Sequence, residues 1–364
     1  MRVRLAAFVA ATIVACVSAE AAAEPMDPAL ERLVTDPACH PGGQWDDKRV
    51  DPATGGAITC KPDNANFKRL MSQYAFAFAP TGMHSARTTG YGGFHLSLQA
   101  DYTKISSDKA YWKMGTQGPV DPSNGASSTS NGSPQSLLQL YSLQFRKSFG
   151  FGLEVAGIVG FMPKTSIISG GADVRFSLLE GFRKGIGGIL PDVAVGGGVR
   201  TITGTPQFQL TIAALDIVAS KPLPIQDSQV LTPYIGYQYL WIFADSGLID
   251  LTPGTDALRY CNYAGQNLPG NPDPKKTVND NQPICRNGAS PLDFNNNVVF
   301  KPVRLERHRL LFGANYRYEM VMVGAQFLID ALPPADSQND ATDKQDLKDE
   351  SRQYTLSFAL GAMF

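Results

Sequence analysis

About ten stretches of this chain alternate apolar and polar residues with a period of two, and no other feature restricts its fold so tightly. In "GFHLSLQADYT" the residues Phe94, Leu96, Leu98, Ala100 and Tyr102 share one face, while His95, Ser97, Gln99, Asp101 and Thr103 share the other. A period of two is the signature of a strand. It recurs in "FGLEVAGIVGF" (Phe151, Leu153, Val155, Val159, Phe161), "GADVRFSLL" (Ala172, Val174, Phe176, Leu178) and "YIGYQYLWIF" (Ile235, Tyr237, Tyr239, Trp241, Phe243). It recurs again in "LLFGANYRY" (Leu310, Phe312, Ala314, Tyr316, Tyr318), "VMVGAQFLID" (Val321, Val323, Ala325, Phe327, Ile329) and the final "RQYTLSFALGAMF". Weaker runs cover 137–147, 192–203 and 208–221, and the last loses phase near Ala213 and Ala214, which predicts a bulge.

Strands of this length suit a tilted membrane crossing, and beyond residue 23 no run of 18 apolar residues offers a membrane helix. In hydrocarbon every backbone N–H and C=O needs an internal partner, which strands achieve only in a closed barrel. A soluble β-sandwich would alternate too. Two features oppose it: aromatics gather near strand ends (Tyr102, Phe149, Phe151, Phe161, Trp241, Phe243, Tyr316, Tyr318), as interface girdles require, and the links are very uneven. Short links near 148–151, 182–191, 223–231 and 319–320 alternate with longer ones, notably 106–136, 247–304 and 334–351. The expected fold is all-β: a transmembrane antiparallel up-and-down β-barrel over 92–364, with short periplasmic turns and long external loops. An even strand count puts both ends of the sheet on the periplasmic side.

The start of the chain supplies the compartment. Arg2 and Arg4 precede the apolar "LAAFVAATIVACV" and the small-residue "SAEAAAEP", the layout of a signal peptide over 1–23 cut near Ala22 or Ala23. Ile13-Val14-Ala15-Cys16 also passes as a lipobox, the alternative in which Cys16 is lipidated. With Cys16 removed, four cysteines remain, and an even count in an exported chain predicts the disulfides Cys39–Cys60 and Cys261–Cys285. The second would close a loop of about 25 residues, worth roughly 3 kcal/mol in the chain-entropy model. Residues 24–91 read as a periplasmic segment containing a helix. Phe67, Leu70, Met71, Tyr74 and Ala75 recur at helical spacing, Asn64 or Asn66 could cap, and Pro80 ends the run.

Several function classes fall away. Lys+Arg 32 against Asp+Glu 33 gives a net charge of −1, so no nucleic-acid partner is expected. With no CxxC and four His, no metal site is expected, and no cofactor. The glycines of "VGGGV" and "KGIGG" precede strand-like sequence, not the helix of a dinucleotide fingerprint. The acidic stretch with Asp336, Asp340, Asp343, Asp346, Asp349 and Glu350 lacks calcium-loop spacing and reads as a solvated loop, with divalent-ion or lipopolysaccharide bridging as the alternative.

The segment "YTLSFALGAMF" resembles the C-terminal strand of bacterial outer-membrane β-barrel proteins, which commonly end in Phe with apolar residues at every second position before it. That resemblance implies an assembly signal carried by Tyr354, Leu356, Phe358, Leu360 and Phe364 and read by the barrel-assembly machinery. It also implies the outer membrane as location, with its lipid and lipopolysaccharide as surroundings.

On the non-lipid face, treating each short link as a hairpin opposes Arg146 to Glu154 and Arg309 to Asp330, and brings Asp173 near Arg200. Such pairs either fill a narrow lumen or line a selective pore. The expected function is a narrow porin-like channel for small solutes or ions, or a structural envelope barrel with a disulfide-closed external loop. The alternative is a barrel hydrolase using an inward His. Of His40, His84, His95 and His308, only His95 shares its strand face with a Ser and an Asp (Ser97, Asp101), and a collinear set is poorly placed for a triad. No enzymatic activity is expected.

Overall fold

The computed structural model describes residues 24–35, 60–120, 128–181, 190–226, 228–251, 261–262, 284–285, 297–336, 347 and 350–364. Ten strands make the wall: β1 (Phe94–Lys104), β2 (Leu137–Ser148), β3 (Leu153–Phe161), β4 (Ile168–Leu179), β5 (Asp192–Thr203), β6 (Phe208–Ser220), β7 (Gln229–Ser246), β8 (Val303–Tyr318), β9 (Val321–Asp330) and β10 (Tyr354–Met363). Each pairs antiparallel with its sequence neighbours. β10 then pairs with β1, from His95↔Met363 to Thr103↔Thr355, and closes the ring. Short edge pieces, Leu223–Gln226 and Ala335–Asp336, extend the sheet locally.

Closure leaves two unlike surfaces. Leu98, Val159, Leu215, Leu356 and Leu360 are exposed on the outside, on strands whose alternate residues are buried within. An apolar exterior on a ring with no free edge is stable only against lipid. Aromatic contacts mark both rims. Tyr102, Tyr141 and Phe161 touch in series near one, at 6.4 and 5.8 Å between ring centroids, and Phe94 meets Phe145 (4.4 Å) and Phe364 (6.2 Å) at the other. We call the end carrying the 105–136, 247–302 and 331–353 connections the outer end, and the end carrying Phe364 the inner end.

Three sequence expectations change here. The ladder of β6 runs unbroken through Ala213 and Ala214, and the register shift lies instead between Ser177 and Leu179 of β4. The helix, α1 (Asn64–Phe78), is capped by Asp63, whose Oδ1 accepts from the Asn66 N–H at 3.0 Å, not by Asn64 or Asn66. It stops at Ala79, held extended by Pro80. The third change is its position. The segment expected as a separate periplasmic piece lies inside the barrel, where α1 touches β1, β2, β6, β7 and β8. That explains its composition: eleven of its fifteen residues are buried, on every side, as a helix enclosed all round must be.

Residues 1–23, Cys16, His40 and Cys39 lie outside the described residues, as does most of 247–304 and of the acidic loop. Cys261 and Cys285 face each other as Cα partners in a short antiparallel ladder.

Candidate functional site: the occupied lumen

The chain enters the barrel from the outer end. Residues Glu24–Thr35 form a cap across three outer connections. Ala29 N–H donates to Gly115 O (2.9 Å), Leu30 N–H to Gln207 Oε1 (2.7 Å), Met26 N–H to Lys164 O (3.1 Å), and Arg32 to Gln117 O (3.0 Å). Glu31 is almost wholly buried here, and burial raises its carboxyl above the ordinary range despite Arg32 beside it. A raised folded pKa means the cap is steadiest below the unfolded value and loosens as pH rises through the folded one. Glu31→Gln is therefore expected to flatten the pH dependence of melting above the ordinary glutamate pKa, measured by differential scanning fluorimetry. An unchanged slope would remove Glu31 from the cap's energetics.

Below the cap the lumen has two tiers. In the outer tier the inward positions are apolar: Leu138 and Leu140, Ile202, Phe208, Leu210 and Ile212, Leu240 and Ile242, Val303 and Leu305. They form one cluster with Phe67, Leu70, Met71, Tyr74 and Phe78 of α1 and with Leu30 and Leu33 of the cap. Each large α1 side chain so buried contributes roughly 1.5–3 kcal/mol. This is why the apolar alternation of β6 changes phase in sequence: Phe208, Leu210 and Ile212 point inward, whereas Leu215 and Ile217 point outward. A short helix, α2 (Ala110–Met114), seals the cluster with Trp112. Gln73 of α1 donates to Tyr111 Oη (2.7 Å) and to Glu350 (2.8 Å), and accepts from Trp112 Nε1 (2.7 Å). Burial and the Glu350 carboxylate push the Tyr111 hydroxyl far up, so it stays a donor to that carboxylate.

The tiers meet at two arginines of β8. Arg307 pairs with Asp330 at 2.5 Å and donates to Ser72 O (2.7 Å). Arg309 donates to Phe76 O (3.2 Å), to Pro80 O (2.6 Å) and to Gln238. Both guanidinium groups lie over the Phe76 ring, at 4.6 and 5.0 Å from its centroid. The last four carbonyls of a helix lack intrahelical partners and carry its negative dipole end, so Arg309 on Phe76 O satisfies both needs, while Arg307 reaches further back, to Ser72. This corrects the expected Arg309–Asp330 pair. Those residues are Cα partners as predicted, but the carboxylate takes Arg307 on the diagonal.

The inner tier is polar because an extended backbone runs through it. Between α1 and β1 the chain has no helix or ladder, so its groups bond to the wall. Thr81 O accepts from Gln326 (2.6 Å), His84 O from Arg175 (3.0 Å), and Ala86 N–H donates to Ser220 Oγ (3.0 Å). Buried backbone must find partners, and these wall residues supply them.

The other expected pairs are made with shifted register. Glu154 sits opposite Ser148, with Arg146 diagonal to it at 3.8 Å. Asp173 is held bidentate by Arg200 at 2.7 and 2.8 Å. Sequence reasoning missed Arg307 and the Arg175–Asp216 pair (3.1 Å), although parity alone puts all three side chains inward. His95, Ser97 and Asp101 are buried on the inward face but are not assembled: neither ring nitrogen of His95, nor Ser97 Oγ, nor Asp101 Oδ1 has a hydrogen-bond partner among the described residues. His308 faces outward and bonds Tyr237 Oη.

No protein-family model matches the chain, and no curated protein matches it. Among solved structures it is similar to the attachment invasion locus protein Ail of Yersinia pestis (9% identity, 76% of this chain, 100% of that one, TM-score 0.23). It is also similar to the outer membrane protein Omp33 of Acinetobacter baumannii (9%, 75% and 97%, 0.24) and to OprG of Pseudomonas aeruginosa (10%, 77% and 99%, 0.24). At such scores the architecture rests on the strand ladder itself: a closed ten-stranded antiparallel barrel with a lipid-facing exterior.

Proposed function

We propose that this protein is a structural barrel of the bacterial outer membrane, closed by its own N-terminal segment, and not an open porin. The observation that carries this reading is the apolar outer tier. A path for ions or small solutes needs a continuous polar or water-filled route, and the Leu70–Tyr74–Leu210–Leu240 cluster interrupts one. The exterior surface would then be the working one, made of the cap, the 106–136 loop and the 247–304 loop. The facing register of Cys261 and Cys285 supports the disulfide proposed to close the latter. Membrane lipid, lipopolysaccharide and the barrel-assembly machinery are the partners this reading implies, the last through Tyr354–Phe364. No catalytic step is assigned to it.

The test is planar-bilayer recording of the refolded mature protein. Electrical silence is expected at potentials that leave the bilayer intact. Stable, discrete conductance steps from the unmodified protein would refute the reading and restore the channel.

A further inference from the structure

Each of the five outer connections is fastened to the plug, the cap and α1 together. The β1–β2 connection holds the cap through Gly115 O and Gln117 O, and packs Trp112 on Tyr74 of α1 with ring centroids 4.9 Å apart. In the β3–β4 connection, Ser166 donates to Asp27 Oδ1 of the cap from its N–H (2.6 Å) and from its hydroxyl (2.9 Å). Between β5 and β6, Gln207 accepts from the Leu30 N–H and donates to Glu31 Oε2 at 3.0 Å. The β7–β8 connection stacks Phe300 on Phe67 of α1 at 4.7 Å, and its Lys301 N–H donates to Asn64 Oδ1 at 2.7 Å. Ahead of β10, Glu350 accepts from Gln73 and lies 3.9 Å from Arg69, both residues of α1.

The apolar core converges in the same way. Trp112, Ile167, Phe300 and Leu347 come from four different outer connections, yet all four lie in the one cluster that contains α1 and the cap. No inner connection contributes to that cluster among the described residues. The wall is held by other means, its hydrogen-bonded ladder running from strand to strand and closing between β10 and β1. A connection that buries its apolar side chains against a plug loses that burial when the plug moves, whereas a ladder hydrogen bond does not depend on it.

We infer that the plug and the five outer connections form one cooperative unit distinct from the wall, so that keeping α1 in the lumen and keeping the outer face folded are a single equilibrium. Coupling of this kind is reciprocal. Whatever holds one outer connection in place also holds α1, and whatever withdraws α1 dissolves the outer face as a whole. The plug then has a second task besides closure, that of shaping the surface through which the barrel meets its surroundings. That this surface looks out from the cell rests on the proposed function; the cooperativity does not.

The experiment is hydrogen–deuterium exchange, read by mass spectrometry, on the refolded mature protein in detergent micelles. Phe300→Ala removes the aromatic plug contact of one connection and Trp112→Ala that of another. Each is expected to speed exchange roughly a hundredfold, the factor that loss of a buried aromatic implies when the whole unit opens together. The acceleration should reach α1 and the connections left unsubstituted. For Phe300→Ala these are read at Gly115, whose N–H bonds to Tyr111 O, and for both variants at Met162, whose N–H bonds to Ile167 O. The ladder amides of β1 and β10 should keep their protection. Ile167→Ala, a smaller truncation on a third connection, should accelerate α1 and Gly115 by a smaller factor, and it decides the matter if an aromatic variant does not fold. Acceleration confined to the connection that carries the substitution would overturn the inference, as would equal acceleration throughout the wall. No current is measured, so a failure here is separate from a failure of the closed-barrel reading.

Discussion

Arg307→Ala is expected to lower the unfolding free energy of the barrel by about 3–5 kcal/mol, the cost of leaving a buried charge without its partner. Asp330 is 1% exposed, and Arg307 is the cation it touches, so the variant strands a carboxylate in the lumen. It also removes a donor from Ser72 O and Gln353 and frees the Phe76 ring. Arg309→Ala should cost less, about 1–3 kcal/mol, because it orphans only neutral acceptors: two carbonyls of the descending chain and the amide of Gln238. The pair Arg307→Met with Asp330→Leu should recover most of the first loss, since volume is kept and no charge is stranded. Urea titration in lipid vesicles, followed by tryptophan fluorescence, measures all three. Equal losses for the two single alanine variants would show that the diagonal pairing does not govern the energetics, and that the direct Arg309–Asp330 opposition holds after all.

A carboxylate placed in the outer tier should open the barrel. Leu70 on α1 and Leu210 on β6 are both fully buried in the same cluster. Leu70→Asp or Leu210→Asp puts an unpaired charge where neither water nor a partner can reach it, at a cost of several kcal/mol. The wall keeps its ladder hydrogen bonds and its lipid face, so the α1 packing is what gives way. Planar-bilayer recordings are expected to pass from silence to discrete steps in either variant. Leu215→Asp, on the same strand as Leu210 but 54% exposed on the outside, is the contrast: it should impair insertion without producing a channel. Persistent silence in a correctly folded Leu70→Asp protein would mean that α1 is not what blocks the lumen.

The outward half of this fold was legible because lipid imposes one rule on every strand. Phe94 to Tyr102 or Val321 to Ile329 must be apolar at alternate positions whatever lies inside, so alternation located all ten strands and sorted their long and short connections between the two ends of the barrel. The inward half answers to local partners, and a single strand does not name them. Phe208, Leu210 and Ile212 looked like a phase slip because their partner, α1, lies some 140 residues earlier in the chain. The usable signal was collective: Leu138/Leu140, Phe208/Leu210/Ile212, Leu240/Ile242 and Val303/Leu305 all turn apolar on their inward face at the same end of the barrel. Four strands doing so together imply an apolar object in the lumen, and the Phe67–Phe78 periodicity was the sequence's only candidate for it. Hairpin arithmetic, likewise, correctly made Arg309 and Asp330 Cα partners but could not show that a long guanidinium leans two residues along the strand. Nothing in sequence distinguishes Arg307 from Arg309 for that role, because both share parity and both are buried.

Ten strands alone return the polypeptide to the side it started from, whereas the passage from α1 down to Phe94 adds an eleventh transit. An eleventh transit cannot be enclosed by a ring that has already zipped shut unless the residues ahead of β1 are later fed through it. The simpler order is that the sheet curls around a passenger made of its own leading residues, with the β1–β10 seam joining last.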